Sequence, residues 1–285
     1  MMDPGLDRDR VIAAFDRAAP TYDAATPVHQ EIGRRLREHL DPVRIEPARI
    51  LDIGAGTGVC ARTLARRYPR ALVVAADPAR GMLARVRTRR WWWSARPRAV
   101  RADAVRLGFA DGTFDLVYSN LALHWCVDPA AAFAELARVS APGALLTVSM
   151  LGPDTLRELR EAWSRVDDRL HVHLLPDMHD VGDQLQRAGF TGIVMECEQL
   201  RVEYPDLASI HRDLKHQGTT NAARERPRSL SGRAKGSALA GALATAAGPG
   251  PIGLTYEVVY AHAWRARPAD PPSVRAADLV RRGGR

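Results

Sequence analysis

The chain has 285 residues, 46% of them hydrophobic, enough for one large or two small domains around a sizeable core, which excludes a globally disordered protein. Its formal charge of +8 and pI of about 10, carried mostly by arginine, point to an acidic partner such as nucleic acid or an acidic carrier protein. Cys60, Cys126 and Cys197 are too scattered for a zinc knuckle or disulfide framework, and no stretch suits a signal peptide or a membrane span, so a cytoplasmic protein is expected.

Residues 9–18 place Val11, Ile12 and Phe15 on one helical face, and Pro20-Thr21-Tyr22-Asp23 breaks that helix. A second helix is predicted over 28–40, and Pro42 and Pro47 separate an N-terminal cap, residues 1–46, from the sheet domain. Residues 48–58 read Ala-Arg-Ile-Leu-Asp-Ile-Gly-Ala-Gly-Thr-Gly: a strand over 48–54 runs into Gly54, Gly56 and Gly58, and helical spacing resumes over 59–68. A turn without Cβ atoms lets a ligand lie against bare backbone, and the helix behind it offers free N–H groups. The spacing is G-x-G-x-G, not the G-x-G-x-x-G of dinucleotide folds. With Asp52 ahead of it, it resembles motif I of class I S-adenosylmethionine (SAM) methyltransferases.

Further strands are predicted over 71–77, 99–103, 114–120 and 144–150, with helices over 79–88 and 129–140 and a turn at Pro142-Gly143. Strands alternating with helices argue a parallel sheet and an α/β core, residues 47–151. Asp77, Asp103 and Asn120 sit at strand carboxyl ends, where open α/β sheets bind ligands. The structural alternative is a parallel sheet whose strand ends are polar by chance. Arg89 to Arg98 contains Trp91, Trp92 and Trp93; a stacking platform for nucleic acid is one reading, and a loop covering the domain edge is the favoured one.

Beyond Gly152 a helix is predicted over 154–166 with Asp154 as its N-cap, then a helix from near Asp177 to Ala188, stopped by Gly189. His171, His173, Asp177 and His179 resemble a metal set only loosely; loop residues and a helix start are the preferred reading, and no metal is expected. Two strand-like pieces over 192–204, a helix over 207–216, a basic stretch over 217–236, a helix over 237–247 and a last strand over 254–263 complete the part running from 152 to 265. Residues 266–285 read as a disordered tail.

Several segments together resemble the malonyl-acyl-carrier-protein O-methyltransferases of biotin synthesis. They are Phe15 to Asp23 with Gln30, the glycine turn and strand ends, Ser119 to Cys126, Gly152 to Leu159, Asp177 to Asp183, Asp213 to Asn221 and Thr255 to Tyr260. The resemblance covers about residues 8 to 265 and departs at Ala55, at Val105 to Gly108 and at His124. It implies a Rossmann-like class I methyltransferase fold: a seven-stranded, mostly parallel sheet with helices on both faces, an N-terminal helical cap and a C-terminal helical insertion. It implies a SAM-dependent enzyme that esterifies the free carboxylate of malonyl-acyl-carrier protein, and an acidic carrier protein as partner. A monomer is expected, with no nucleic acid and no membrane.

The resemblance carries the site roles. Asp52, Gly54, Ala55, Gly56, Gly58, Pro78 and Met82 belong to the cofactor site, the glycines facing the methionine part. Asp77 accepts from the ribose hydroxyls, Asp103 and Ala104 hold the adenine, and Asn120 lines the methionine side. Tyr22 and Gln30 close the pocket from the cap, and Tyr22 and His124 are the catalytic candidates. Tyr22 as a core aromatic and His124 as a structural histidine remain alternatives. A buried carboxylate needs a cation, for which Arg157, Arg212 and Lys215 are the candidates, against their being solvated charges. Arg224, Arg226, Arg228, Arg233 and Lys235 suit a docking surface for the carrier protein, or form an exposed loop. A malonyl carboxylate is already ionised at neutral pH, so alignment and water exclusion, rather than a general base, should carry the reaction. Two rivals keep the same core: methylation of another small molecule, and a SAM-binding assembly factor resembling arginine hydroxylases.

Overall fold

The computed structural model describes residues 5–88, 96–224, 226, 232–248 and 250–267. Seven strands form one sheet: β1 (Arg49–Ile53), β2 (Leu72–Asp77), β3 (Arg98–Arg101), β4 (Phe114–Asn120), β5 (Ser140–Leu151), β6 (Phe190–Tyr204) and β7 (Ile252–Arg265). Their order is β3-β2-β1-β4-β5-β7-β6. The first five pair in parallel, and β7 runs antiparallel to both of its neighbours. The chain reverses its direction of travel across the sheet between β1 and β4, which opens a crevice at their carboxyl ends.

β1 and β2 are near-continuous apolar runs because both of their faces are covered. On one face Ile50, Leu116 and Tyr118 pack with Leu64 of α4 (Val59–Arg67) and with Ile32 and Leu36. On the other, Leu51, Ile53 and Val117 pack with Phe133 and Leu136 of α6 (Pro129–Val139). Asp128 starts α6 by accepting from the Ala131 amide at 2.9 Å, with Pro129 at its first position.

Three N-terminal helices, α1 (Arg8–Ala18), α2 (Tyr22–Ala25) and α3 (Pro27–Glu38), cover the crevice and one face of the sheet. The expected break after residue 18 holds one helical turn, α2. α1 lies against α5 (Arg80–Thr88): the Gly81 amide donates to the Asp16 carboxylate at 2.7 Å, and a Cβ at Gly81 would sit 2.8 Å from the Asp16 carbonyl. Only glycine permits that approach.

The structure corrects four boundaries. The Pro142-Gly143 turn lies inside β5, where a register shift between Phe114 and Leu116 accommodates a proline without N–H and Gly143 at φ +81. The two pieces expected over 192–204 are one strand, β6, interrupted by a bulge between Thr191 and Val194 with Gly192 at φ +57. The helix expected from Asp154 starts later, as α7 (Arg157–Ser164), because β7 takes the backbone groups before it. The Gly152 amide donates to the Glu257 carbonyl at 2.9 Å and the Leu156 amide to the Thr255 carbonyl at 2.7 Å. α10 (Arg233–Ala247) begins four residues earlier than the sequence suggested. By contrast α8 (Met178–Arg187), capped by Asp177 and ended before Gly189 at φ +91, and α9 (Leu207–His216) fall where expected. The three adjacent tryptophans, Arg228 and nearly all of the expected tail lie outside the described residues. Among the described residues no helix is long and apolar enough to cross a membrane.

Leu36 of α3 is fully buried in the same core as β1 and β4. Truncating it to alanine should lower the unfolding free energy by ~2–5 kcal/mol in a denaturant titration. An effect below ~1 kcal/mol would show that α3 is only loosely applied to the sheet.

Candidate active site

The crevice holds a cavity of about 370 Å³, walled by the glycine turn, the ends of β2 and β4, the loops after β3 and β4, and the inner face of α1. Gly54, Gly56 and Gly58 all have positive φ, at +67, +54 and +80. Each needs glycine for a different reason. A Cβ on Gly54 would fall 2.0 Å from that of Ala122, so the loop after β4 closes directly over the turn. A Cβ on Gly58 would meet Val86 of α5 at 2.9 Å. A Cβ on Gly56 would meet only the Tyr22 ring, at 3.8 Å, so bare backbone there faces the cavity.

Asp77 ends β2 and clasps the turn: its carboxylate accepts from the Gly56 amide at 2.9 Å and from the Ala79 amide at 2.8 Å. It is 7% exposed, and burial raises its pKa to about 6 against those two hydrogen bonds, which pull the other way. Asp103, beyond β3, accepts from Arg8 Nε at 2.6 Å and from the Val105 amide at 3.2 Å. Arg8 opens α1 and is the one cationic side chain lining the cavity among the described residues. Asn120 ends β4; its amide donates to the His29 carbonyl at 3.1 Å and its oxygen accepts from Ser149 at 2.8 Å. The Tyr22 hydroxyl lies 3.3 Å from Nδ1 of His29, and burial, then Asp77, holds its pKa above the ordinary phenol value. Phe15 and Trp125, with ring centroids 5.5 Å apart, wall the apolar side.

The cavity therefore gathers Tyr22, Gly54, Gly56, Asp77, Pro78, Met82, Asp103, Ala104 and Asn120, as the sequence suggested. Asp52, Ala55 and Gly58 stand behind that lining. Asp52 is 1% exposed with one carboxylate oxygen unpartnered, and burial, then Asp77, raises its pKa to about 8. The Ala55 amide donates to the Ala76 carbonyl at 3.1 Å, joining the turn to β2.

Other expected residues are placed elsewhere. Gln30 is exposed and donates to the Asp23 carbonyl at 2.6 Å; one step along a helix turns a side chain by about 100°, and His29 is the residue that faces inward. His124 is buried outside the cavity lining, facing the Leu151 amide at 3.5 Å, with its pKa lowered to about 3 by burial and then by His29 and His173. Arg157 pairs with Asp154 at 3.2 Å and Glu158 at 3.5 Å, and Arg212 and Lys215 lie on α9, so none of the three reaches the cavity. In the basic stretch Lys235 pairs with Asp167 at 2.5 Å and Arg226 with Asp7 at 3.6 Å, so both are tied internally. His171 pairs with Asp167 at 2.8 Å and stacks on Trp163, and His179 caps with Asp177; among the described residues no group of three ligands could hold a metal. Arg8 and His29 escaped sequence reading. Arg8 carries no local signal, and His29 shows only as a position on the apolar face of α3.

The residues fit a nucleoside bearing a diol and a cationic end. Asp77 keeps acceptor capacity beyond its two amides, Asp52 offers an orphaned buried oxygen behind the turn, and Gly56 leaves room against its backbone. Residues 51–148 match the family described as a methyltransferase domain. The fold aligns with the YcgJ protein of Bacillus subtilis at a TM-score of 0.60 and 15% identity, over 84% of this chain and 99% of that one. It aligns with a Haemonchus contortus phosphoethanolamine N-methyltransferase 2 in complex with S-adenosyl-L-methionine at 0.56 and 18%, over 88% and 57%. The fold is thus that of the class I methyltransferases, with a methyltransferase domain at its centre.

Curated relatives narrow the class. The malonyl-acyl-carrier-protein O-methyltransferase of Halorhodospira halophila is 45% identical over 92% of this chain and 91% of its own length. That of Gallionella capsiferriformans is 42% identical over 92% of each. The chain belongs to the malonyl-acyl-carrier-protein O-methyltransferase family.

Two glycine substitutions should separate architecture from binding. Gly56→Ala should cost about 1–2 kcal/mol of stability through its left-handed backbone while filling the space beside Tyr22. Gly54→Ala should add a collision that forces the loop after β4 away and destabilise by more than ~3 kcal/mol. Paired denaturation curves check this; equal losses would contradict the contacts described.

Proposed function

We propose that this protein uses SAM to methyl-esterify the free carboxylate of malonyl-acyl-carrier protein, in the branch of metabolism leading to biotin. The observation that carries this reading is the span of the kinship: relatives of that printed activity match about nine-tenths of the chain, well past the methyltransferase domain that ends at residue 148. A cytoplasmic monomer that meets only its carrier protein belongs to the same reading.

In this reading SAM supplies a methyl group already activated by its sulfonium centre. The chain's task is then to bind, orient and exclude water. Asp77 accepts from the ribose hydroxyls, Asp103 and Ala104 meet the adenine, and the Gly54–Gly56 backbone and Asn120 take the methionine part. Their acceptors and bare backbone, all at the cavity wall, support this division. An Asp103 engaged with adenine shares its carboxylate with Arg8 or releases it. No base is needed for an ionised carboxylate. The apolar walls from Phe15, Met82 and Trp125 keep water from the nucleophile, which leaves alignment as the main source of rate.

The direct test incubates purified protein with methyl-labelled SAM and malonyl-acyl-carrier protein. Labelled methyl ester is expected, and transfer to other acceptors but never to this carboxylate would refute the reading. A second measurement probes Asp77. Its carboxylate is the binding form and its pKa in the free protein is about 6, so SAM affinity should be full above pH 7 and fall as pH drops through 6. At pH 5 the loss should be about tenfold. Calorimetry on Asp77→Asn should show weaker binding by at least ~tenfold with that pH dependence gone. An unchanged profile would remove Asp77 from the cofactor site.

A further inference from the structure

Tyr22, half-buried at the wall of the cavity, and the buried His29 behind it form a polar pair, seven residues apart across the junction of α2 and α3. The phenol ring faces the bare backbone of Gly56, and its hydroxyl lies 3.3 Å from His29 Nδ1. His29 is 8% exposed, and the structure holds it from behind. Its carbonyl receives the Asn120 amide at 3.1 Å, and Asn120 is itself held by Ser149 at 2.8 Å. Thr26 donates to the Tyr22 carbonyl at 2.7 Å, which fixes the turn joining the two residues.

A phenol has one proton, and a neutral imidazole has one donor and one acceptor nitrogen. Which group donates across 3.3 Å decides what the phenol shows the cavity. Burial keeps the phenol protonated and the imidazole neutral, with the His29 pKa lowered to about 4, so one ring nitrogen is bare, and Nδ1, the one facing the phenol, is that nitrogen in one of the two tautomers. We propose that His29 is a positioning residue whose Nδ1 accepts the Tyr22 hydroxyl's hydrogen bond, so that the phenol turns its oxygen lone pairs, and not its O–H, into the cavity. This rests on the reading above, in which the methionine part of SAM lies along Gly56 and Asn120.

The polarity has a chemical consequence. The groups expected at that wall, an ammonium and a carbon next to a sulfonium, offer only hydrogens, and a phenol oxygen with free lone pairs complements both. A methyl C–H polarised by the sulfonium makes a weak contact of this kind, which adds direction more than affinity. A phenol with its O–H turned inward would do the opposite: it would donate to the attacking carboxylate oxygen and hold back the electron pair that must form the new O–C bond. His29 thus keeps the Tyr22 hydroxyl proton away from the nucleophile.

Two experiments test the pair. In protein labelled with 15N-histidine, the resonances that vanish in His29→Asn belong to His29; Nδ1 should be bare and Nε2 protonated near neutral pH, and Nδ1 should shift in Tyr22→Phe. A protonated Nδ1 would overturn the proposal whatever the enzyme's substrate. In kinetics with malonyl-acyl-carrier protein, His29→Leu should lower kcat by ~tenfold, the worth of one hydrogen bond, with SAM affinity and melting temperature nearly unchanged. His29→Asn, whose amide oxygen can accept from near the Nδ1 position, should recover most of that loss. Tyr22→Phe/His29→Leu should be no slower than Tyr22→Phe alone. Additive losses, or failure of asparagine to rescue a folded protein, would overturn the positioning role. A wild-type protein that turns over no malonyl-acyl-carrier protein would instead overturn the functional reading, leaving the resonance measurement to decide the polarity.

Discussion

Asp77 accepts from the backbone amides of Gly56 and Ala79, and those two hydrogen bonds hold the glycine turn against the end of β2. With the Ala55 amide's bond to the Ala76 carbonyl, they define the shape of a turn whose three left-handed glycines have the widest conformational freedom in the unfolded chain. The carboxylate is buried, and burial disfavours its charged form. The same group that shapes the turn is thereby left with lone pairs at the cavity wall, where a ligand's hydroxyls can use them. Asp52 sits one layer deeper in β1, where burial and then the charge of Asp77 raise its pKa to about 8, so near neutral pH it is largely uncharged.

The cover over the crevice is built as part of the rest of the protein. α3 is anchored by Ile32 and Leu36 in the main core, and α1 is tied to α5 through Asp16 and Gly81. The segment leading into α1 is paired with the C-terminal half: Leu6 bridges Ala223, the Asp7 amide donates to the Ala222 carbonyl at 2.8 Å, and Arg10 donates to the Asn221 carbonyl at 3.2 Å. The loop after α9 is thereby bonded directly to the helix that covers the cavity.

Much of this was legible because the signals are local. The G-x-G-x-G turn comes after an apolar run and precedes a helical period, and strand, turn and helix lie where those periods change. Asp77, Asp103 and Asn120 were recoverable since a parallel strand delivers its last residue to one rim of the sheet. Gln30 lies outside the cavity because the histidine beside it turns inward, and only packing decides which way a helix rolls. The Asp154 helix was drawn too long for a similar reason: its first residues meet β7, a strand about a hundred residues away in sequence, and bond to it instead.

The sequence by itself determined the alternation of strands and helices and the residues at the strand ends, because each rests on neighbours within a few positions of one another, and its resemblance over about residues 8 to 265 implied the reaction class. The tertiary structure alone decided that Arg8 engages Asp103, that His29 backs Tyr22, and that Arg157, Arg212, Lys215 and His124 lie outside the cavity. Those outcomes depend on how rigid elements settle against one another. A rotation of one residue along a helix moves a side chain from solvent to cavity without changing any local pattern.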